Sequence, residues 1–374
     1  MAEYFVGVMS GTSVDAVDAV LCQIDTSGRV TSEQVHSLPF PLSLATRLHH
    51  AMSPDIGSLL AFKQLEADYS LHVAKAVNQL LENSSVSATQ VTSLGCHGQT
   101  LWHLPPSQSG ASAPFSLQLI NAPLIARQTG IDVICDFRQK DIAVGGEGAP
   151  LVPAFHYHVL AQQCPTHSVV LNLGGIANLT YLGADTTGVI GFDTGPANTL
   201  SDAVFRQHVG APGYDQQGEL AASGTVITQL LSSLLGDSYF QQSPPKSTGR
   251  ERFNLAWLTH QLDGSEPIKD ILRTLIELTA VSVVEAMQFL PAQPTQVIAC
   301  GGGVLNQTLM SRLQTKLNTI KLTTTAHYGI DPQAVEAMAF AWLAWCYEHK
   351  KPGNLPAVTG ASHPVILGSK TYSD

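Results

Sequence analysis

Apolar and polar positions set a pattern from the first residues. Tyr4, Phe5 and Val6 run into a small-residue turn, and beyond it Val17, Ala19 and Val20 stand among polar neighbours. The pattern predicts strand, tight turn, strand: a hairpin whose tip carries Gly, Ser and Thr. Over residues 54–82, Ile56, Leu59, Phe62, Leu65, Tyr69, Val73 and Val77 keep a helical period, so a long amphipathic helix is expected there. Short buried strands are expected at 91–95 and 131–135, separated by a small-residue exposed loop at 107–113. At 169–173 the opening pattern returns: apolar strand, Gly174-Gly175, then a second strand at 177–182. A strand at 189–193, a helix at 268–290, a strand at 296–300 and a helix at 336–347 complete the reading. The tail beyond Pro352, punctuated by Gly and Pro, is expected to be irregular and to lie along the surface.

Two glycine-tipped hairpins, each followed by helices and further strands, predict two similar α/β domains facing a cleft. Length agrees, since 374 residues exceed one typical core. The expected division is 1–125, completed by 345–374, and 126–344. With 44% hydrophobic and 13% charged residues the chain is globular, and a net charge of -10 argues against a nucleic-acid scaffold. No apolar run approaches the roughly eighteen residues of a membrane span, and no secretory signal is visible. The six cysteines are scattered without a C-x-x-C pair and read as reduced thiols of a cytoplasmic protein.

Turns that follow apolar strands at Gly11, Gly174, Gly195 and Gly301 are places where free N–H groups can meet phosphate. None has the form of a P-loop or of a dinucleotide fingerprint. A nucleotide would instead be gripped by the two hairpins, with its nucleoside against the Gly301 turn. Asp15 and Asp18 add oxygen ligands for a hydrated divalent cation. Asp193, ending a strand before Thr-Gly-Pro, is either a general base beside a transferring phosphate or an Asx-turn residue. Glu336 is either a helix-start carboxylate or a substrate contact. His97 and His103 crowd a turn after a strand, with no third ligand at metal spacing. Residues 136–141, four of them charged, sit beside a glycine cluster and read as a site loop.

The ordered segments GVMSGTSVDAVD, CHGQTLWHLP, DFRQKDIAVGGEGAPLVPAFH, LNLGGIANLT, GFDTGPANTLSD, PKSTGRERFN, CGGGVLNQTLM and EAMAFAWLA resemble the anhydro-N-acetylmuramic acid kinases over nearly the whole chain. The resemblance implies the actin, hexokinase and heat-shock ATPase superfamily: two ribonuclease-H-like domains with a central ATP cleft. It implies an enzyme that uses ATP and Mg²⁺ to open 1,6-anhydro-N-acetylmuramic acid with water and phosphorylate it, in the cytoplasm and as a homodimer. By motif, Asp193 would be the base. Gly11, Thr12, Ser13, Val14, Asp15, Ala16, Val17 and Asp18 would form the first phosphate loop, with Asp15 or Asp18 near Mg²⁺. Gly174 and Gly175 would form the second loop, and Gly301, Gly302 and Gly303 the nucleoside contact. His97, Gln99, Arg138 and Glu336 would meet the sugar. The Lys246–Asn254 segment, numbered 246–254, matches without suggesting a role. Ala16 and Ala197 stand where glycine is expected, and Glu147 where glutamine is. Another sugar or acid kinase of the superfamily, or a non-enzymatic ATP-switched relative, would share the glycine turns. The polar turns at His97 and Asp136 favour a small-molecule pocket over the latter.

Overall fold

A computed structural model describes residues 2–53, 58–110, 113–210 and 213–374. The chain divides into two compact units, Met1–Val159 with Ala334–Asp374, and Leu160–Gln333. The boundaries thus fall at 159 and 334 and not at 125 and 345. The reason is pairing and packing: segments expected in the second domain are bound into the first unit's sheet.

The first unit contains β1 (Glu3–Met9), β2 (Ala16–Ile24), β3 (Val30–Pro39), β4 (Val91–Cys96), β5 (Gln99–Leu104), β6 (Phe115–Leu119) and β7 (Val133–Cys135). The second contains β8 (Ser168–Leu173), β9 (Ile176–Tyr181), β10 (Ile190–Pro196), β11 (Gln296–Cys300) and β12 (Lys321–Thr324), and β13 (Ser369–Thr371) returns to the first. Among the described residues, the first sheet runs β13-β7-β4-β1-β2-β3 and the second β10-β9-β8-β11-β12. In both, three antiparallel strands form a meander, and two further strands add in parallel beside its first member. The shared order makes the two sheets copies of one arrangement, in keeping with the repeated hairpin in the sequence.

In the first unit, alternation along β1 sends Val6 and Val8 toward Leu65, Tyr69, Val73 and Val77 of the long helix Leu59–Glu82. Ser58 caps that helix by accepting from the Ala61 N–H; the expected residues 54–57 lie outside the described ones. The opposite face of the sheet receives the helix Val335–Glu348, in which every residue from 337 to 346 is buried. A Cβ on Gly7 would lie 1.9 Å from the Ala337 carbonyl oxygen, and one on Gly95 2.1 Å from that of Phe340. Helix backbone therefore rests directly on β1 and β4, an approach only glycine permits. An all-round apolar helix finds partners on every side this way, and it belongs to the first unit.

The tail is mostly irregular and partly exposed, as expected, but it also carries a helical turn at Pro356–Thr359 and a strand. β13 pairs antiparallel with β7, and Val358, Ala361 and Leu367 are buried. Residues 137–143 form a helix (Phe137–Ala143), not a loop, and the expected loop at 107–113 begins with a single helical turn at Pro106–Ser109. In the second unit, Val169, Leu171, Leu173, Val297 and Ala299 share a core with Leu275, Leu278 and Val283 of the helix Ile268–Ala286. No helix among the described residues is long and apolar enough to cross a membrane.

Candidate active site

The first hairpin tip spans Ser10 to Asp15. The Val14 N–H donates to the Gly11 carbonyl (3.1 Å), and Val14 adopts φ 56°, a left-handed conformation costly for a β-branched residue. Its side chain is buried in the core, which holds the turn in that form and leaves Thr12 and Asp15 exposed. Gln99 Nε2 donates to the Gly11 carbonyl (3.2 Å), tying β5 to the tip. Asp18 lies on β2; burial raises its carboxyl above the usual range, Ser37 hydrogen bonding opposes this, and the Asp15 charge adds to it. Two carboxylates that repel one another in this way suit a divalent cation carried on phosphates. No cluster of three metal-ligating side chains occurs among the described residues, so protein groups alone would not complete its shell.

Ala16 sits in regular β2, so that position does not need glycine; Ala197 stands at φ -114°, ψ -101° just before the helix Asn198–Val209. Glu147 turns to Ser107, accepting from its N–H (3.2 Å) and its hydroxyl (2.6 Å).

Also in the first unit, Arg138 Nε donates to His97 Nε2 (3.0 Å) and Arg138 Nη1 to the Gly148 carbonyl (2.8 Å). Burial holds the His97 imidazole well below its ordinary pKa, and the Arg138 charge acts in the same direction, so it is neutral and accepts. Burial also lowers Arg138, to about 10, against the charges of Glu336 and Asp141. Gln99 is fully buried, and its Oε1 has no hydrogen-bond partner among the described residues, a vacancy suited to a ligand donor. Sequence boundaries would have divided His97 and Gln99 from Arg138 and Glu336; the fold gathers all four in one unit.

Asp141, which the sequence did not single out, organises this region. Its Oδ1 accepts from Asn354 Nδ2 (2.7 Å) and Thr359 Oγ1 (2.8 Å), and its Oδ2 from the Gly148 N–H (2.8 Å). A Cβ on Gly146 would meet Asp141 Oδ2 at 2.2 Å. The tail thereby braces the glycine turn that receives Arg138. Nothing local marks Asn354 or Thr359 for this, because their partner lies more than two hundred residues away.

In the second unit the tip at Gly174-Gly175 is shorter. Its carbonyls accept from the Ala197, Asn198 and Thr199 N–H groups and from Asn198 Nδ2, so the start of the helix Asn198–Val209 grips it. Gly301 has φ 82°, and a Cβ there would lie 2.4 Å from Asn172 Oδ1; one on Gly303 would lie 2.6 Å from Leu173 Cβ. Around Gly302 the space is open. Two glycines seat the turn on the end of β8, and the middle one faces room for a ligand.

Asp193 stands on β10 beside a bulge before Gly195, where φ is 142°. Its N–H donates to the Lys246 carbonyl (3.2 Å), and its Oδ2 accepts from the Thr248 N–H (2.9 Å). Burial pushes its carboxyl up to about 7; the Thr248 N–H and the Lys246 charge pull down, and Glu251 pushes up. A carboxyl poised near neutrality can take up or release a proton at physiological pH. The cysteines form no disulfide and are mostly buried, and burial raises Cys96 to about 12 and Cys135 to about 11, away from nucleophile chemistry.

A family model described as anhydro-N-acetylmuramic acid kinase matches residues 3–373. The anhydro-N-acetylmuramic acid kinase of Idiomarina loihiensis is 48% identical over 99% of both chains. That of Shewanella frigidimarina is 46% identical over 98% of both. Among solved structures, component A of the (R)-2-hydroxyglutaryl-CoA dehydratase of Acidaminococcus fermentans is 11% identical, with a TM-score of 0.48, over 91% of this chain and 96% of that one.

Proposed function

The chain belongs to the anhydro-N-acetylmuramic acid kinase family, and from that premise we propose how its residues divide the work of the reaction. It is a phosphotransferase with an alcohol oxygen as acceptor, acting in cell-wall recycling. The substrate, 1,6-anhydro-N-acetylmuramic acid, has no free 6-hydroxyl, because that oxygen bridges to the anomeric carbon. Water must therefore attack the anomeric carbon as the C1–O6 bond breaks. The freed O6 takes the γ-phosphoryl group, the bond to ADP breaks, and the water proton goes to a base. The products are N-acetylmuramic acid 6-phosphate and ADP.

Asp193 is that base in our reading, and its carboxyl held near neutrality is the observation that carries it. Gly11 to Asp18 and Gly174-Gly175 meet phosphates, and Gly301 to Gly303 meet the nucleoside. His97, Gln99, Arg138 and Glu336 contact the sugar; the Arg138 guanidinium is the natural partner of its carboxylate. Asp15 and Asp18 would hold Mg²⁺, which neutralises phosphate charge when bound. Six cysteines with no disulfide among them support a reducing, cytoplasmic setting. A homodimer is the assembly we expect, and sedimentation of the purified chain would test it.

The decisive experiment is incubation with Mg-ATP and the anhydro-sugar in heavy-oxygen water. One heavy oxygen at the anomeric hydroxyl of a sugar 6-phosphate is expected; ADP without phosphorylated sugar would sink the substrate. Asp193→Asn should lower turnover by about 10³-fold while nucleotide binding persists. The rate should rise with pH through about 7, since the base must be ionised. The stability sign is opposite. The folded chain holds this proton more tightly than the unfolded one, so the contribution is full below about pH 4 and lost as pH rises through about 7. A rate flat across neutrality would remove Asp193 from the role.

A further inference from the structure

The 246–254 segment, to which the sequence attached no role, runs as a strap beside β10 and touches Asp193 at its backbone and its carboxylate. The Asp193 N–H donates to the Lys246 carbonyl and the Thr248 N–H to Oδ2, while the Tyr239 hydroxyl donates to the Asp193 carbonyl (2.8 Å). Lys246 begins the strap. Its Nζ donates to the Tyr239 carbonyl (3.2 Å) and stands 4.8 Å from the Tyr239 ring centre, 5.0 Å from that of Phe289 and 5.8 Å from that of Phe192. A half-buried ammonium among three aromatic faces is fixed in place by its charge and by its stem.

We propose that Lys246 is a positioning residue for the phosphotransfer: it anchors the strap that orients Asp193 and supplies the positive charge acting on that carboxylate. The inference rests on Asp193 being the base. Glu251 opposes Lys246 with a negative charge, and Thr248 contributes an N–H dipole. Tyr239, whose hydroxyl burial holds far above its usual pKa, stays neutral. Lys246 is thus the cation that favours the ionised, proton-accepting form. Burial lowers its own pKa, and Asp193 raises it in return.

The test is the pH profile of kcat/KM for the full-length enzyme, read as ADP release with the anhydro-sugar. Lys246→Met fills the cage without charge. Its acid limb should move upward by on the order of one pH unit, with activity largely regained at high pH and KM for ATP unchanged. Lys246→Arg should keep the limb near its original place. A limb that stays put in Lys246→Met, with the rate reduced equally at every pH, overturns the proposal. If Lys246→Met does not bind nucleotide, Lys246→Gln is read against the same two outcomes. Failure of the base assignment looks different: Asp193→Asn would then retain the acid limb of the unaltered enzyme.

Discussion

The two hairpins are both antiparallel and hold equivalent positions in their sheets, yet their tips are built differently. The first bridges Met9 to Ala16 with a long, partly exposed tip, strained at Val14 and acidic at Asp15, with Asp18 just inside β2. The second turns on Gly174 and Gly175 alone, carries no acid, and has its carbonyls taken by the helix that follows β10. Duplication of a fold therefore does not duplicate a site. One tip can offer side-chain oxygens to a cation. The other can offer only backbone, held rigid by Asn198 and by the Gly301 turn.

The largest effect should come from disturbing that rigid support. Gly301→Ala places a Cβ against Asn172 and Leu173 at a left-handed φ, and a loss of about 3 kcal/mol or more is expected in denaturant unfolding. Gly302→Ala, in open space, should leave stability within about 0.5 kcal/mol and weaken nucleotide binding instead. Equal stability losses for both would contradict the different duties assigned to the three glycines.

Smaller effects belong to the first tip. Asp18→Asn should raise KM for Mg-ATP by about tenfold, through the loss of one charge–cation contact. No change with varied Mg²⁺ would take Asp18 out of the metal's environment. The smallest effect is expected from Ala16→Gly, because β2 is regular there: a loss of about 0.5–1 kcal/mol from backbone entropy, read as a lowered unfolding midpoint, and no gain in nucleotide affinity.

Legibility followed locality. Strands β8 and β11, the hairpin turns and the helix near residues 336–347 were legible because alternation, glycine and helical period are properties of neighbouring residues. Residues 136–141 read as a loop yet fall mostly in the helix Phe137–Ala143, because charge beside glycine is equally compatible with a polar helix face. In the tail, irregular as its Gly and Pro spacing implies, that same spacing hides β13, which exists only by pairing with β7.

The sequence by itself determined the family, the repeated hairpin, the identity of Asp193 as the candidate base and the acidic character of the first tip. Those are carried by short collinear motifs and local periodicity. Only the tertiary structure decided that His97, Gln99, Arg138 and Glu336 occupy one unit, that Asp141 braces Arg138 through Gly148, and that the Thr248 N–H meets Asp193. Each of these depends on chain segments tens to hundreds of residues apart being brought together by sheet pairing and by glycine-permitted helix packing. Burial then sets the charge states, and no periodicity along the chain encodes burial at that range.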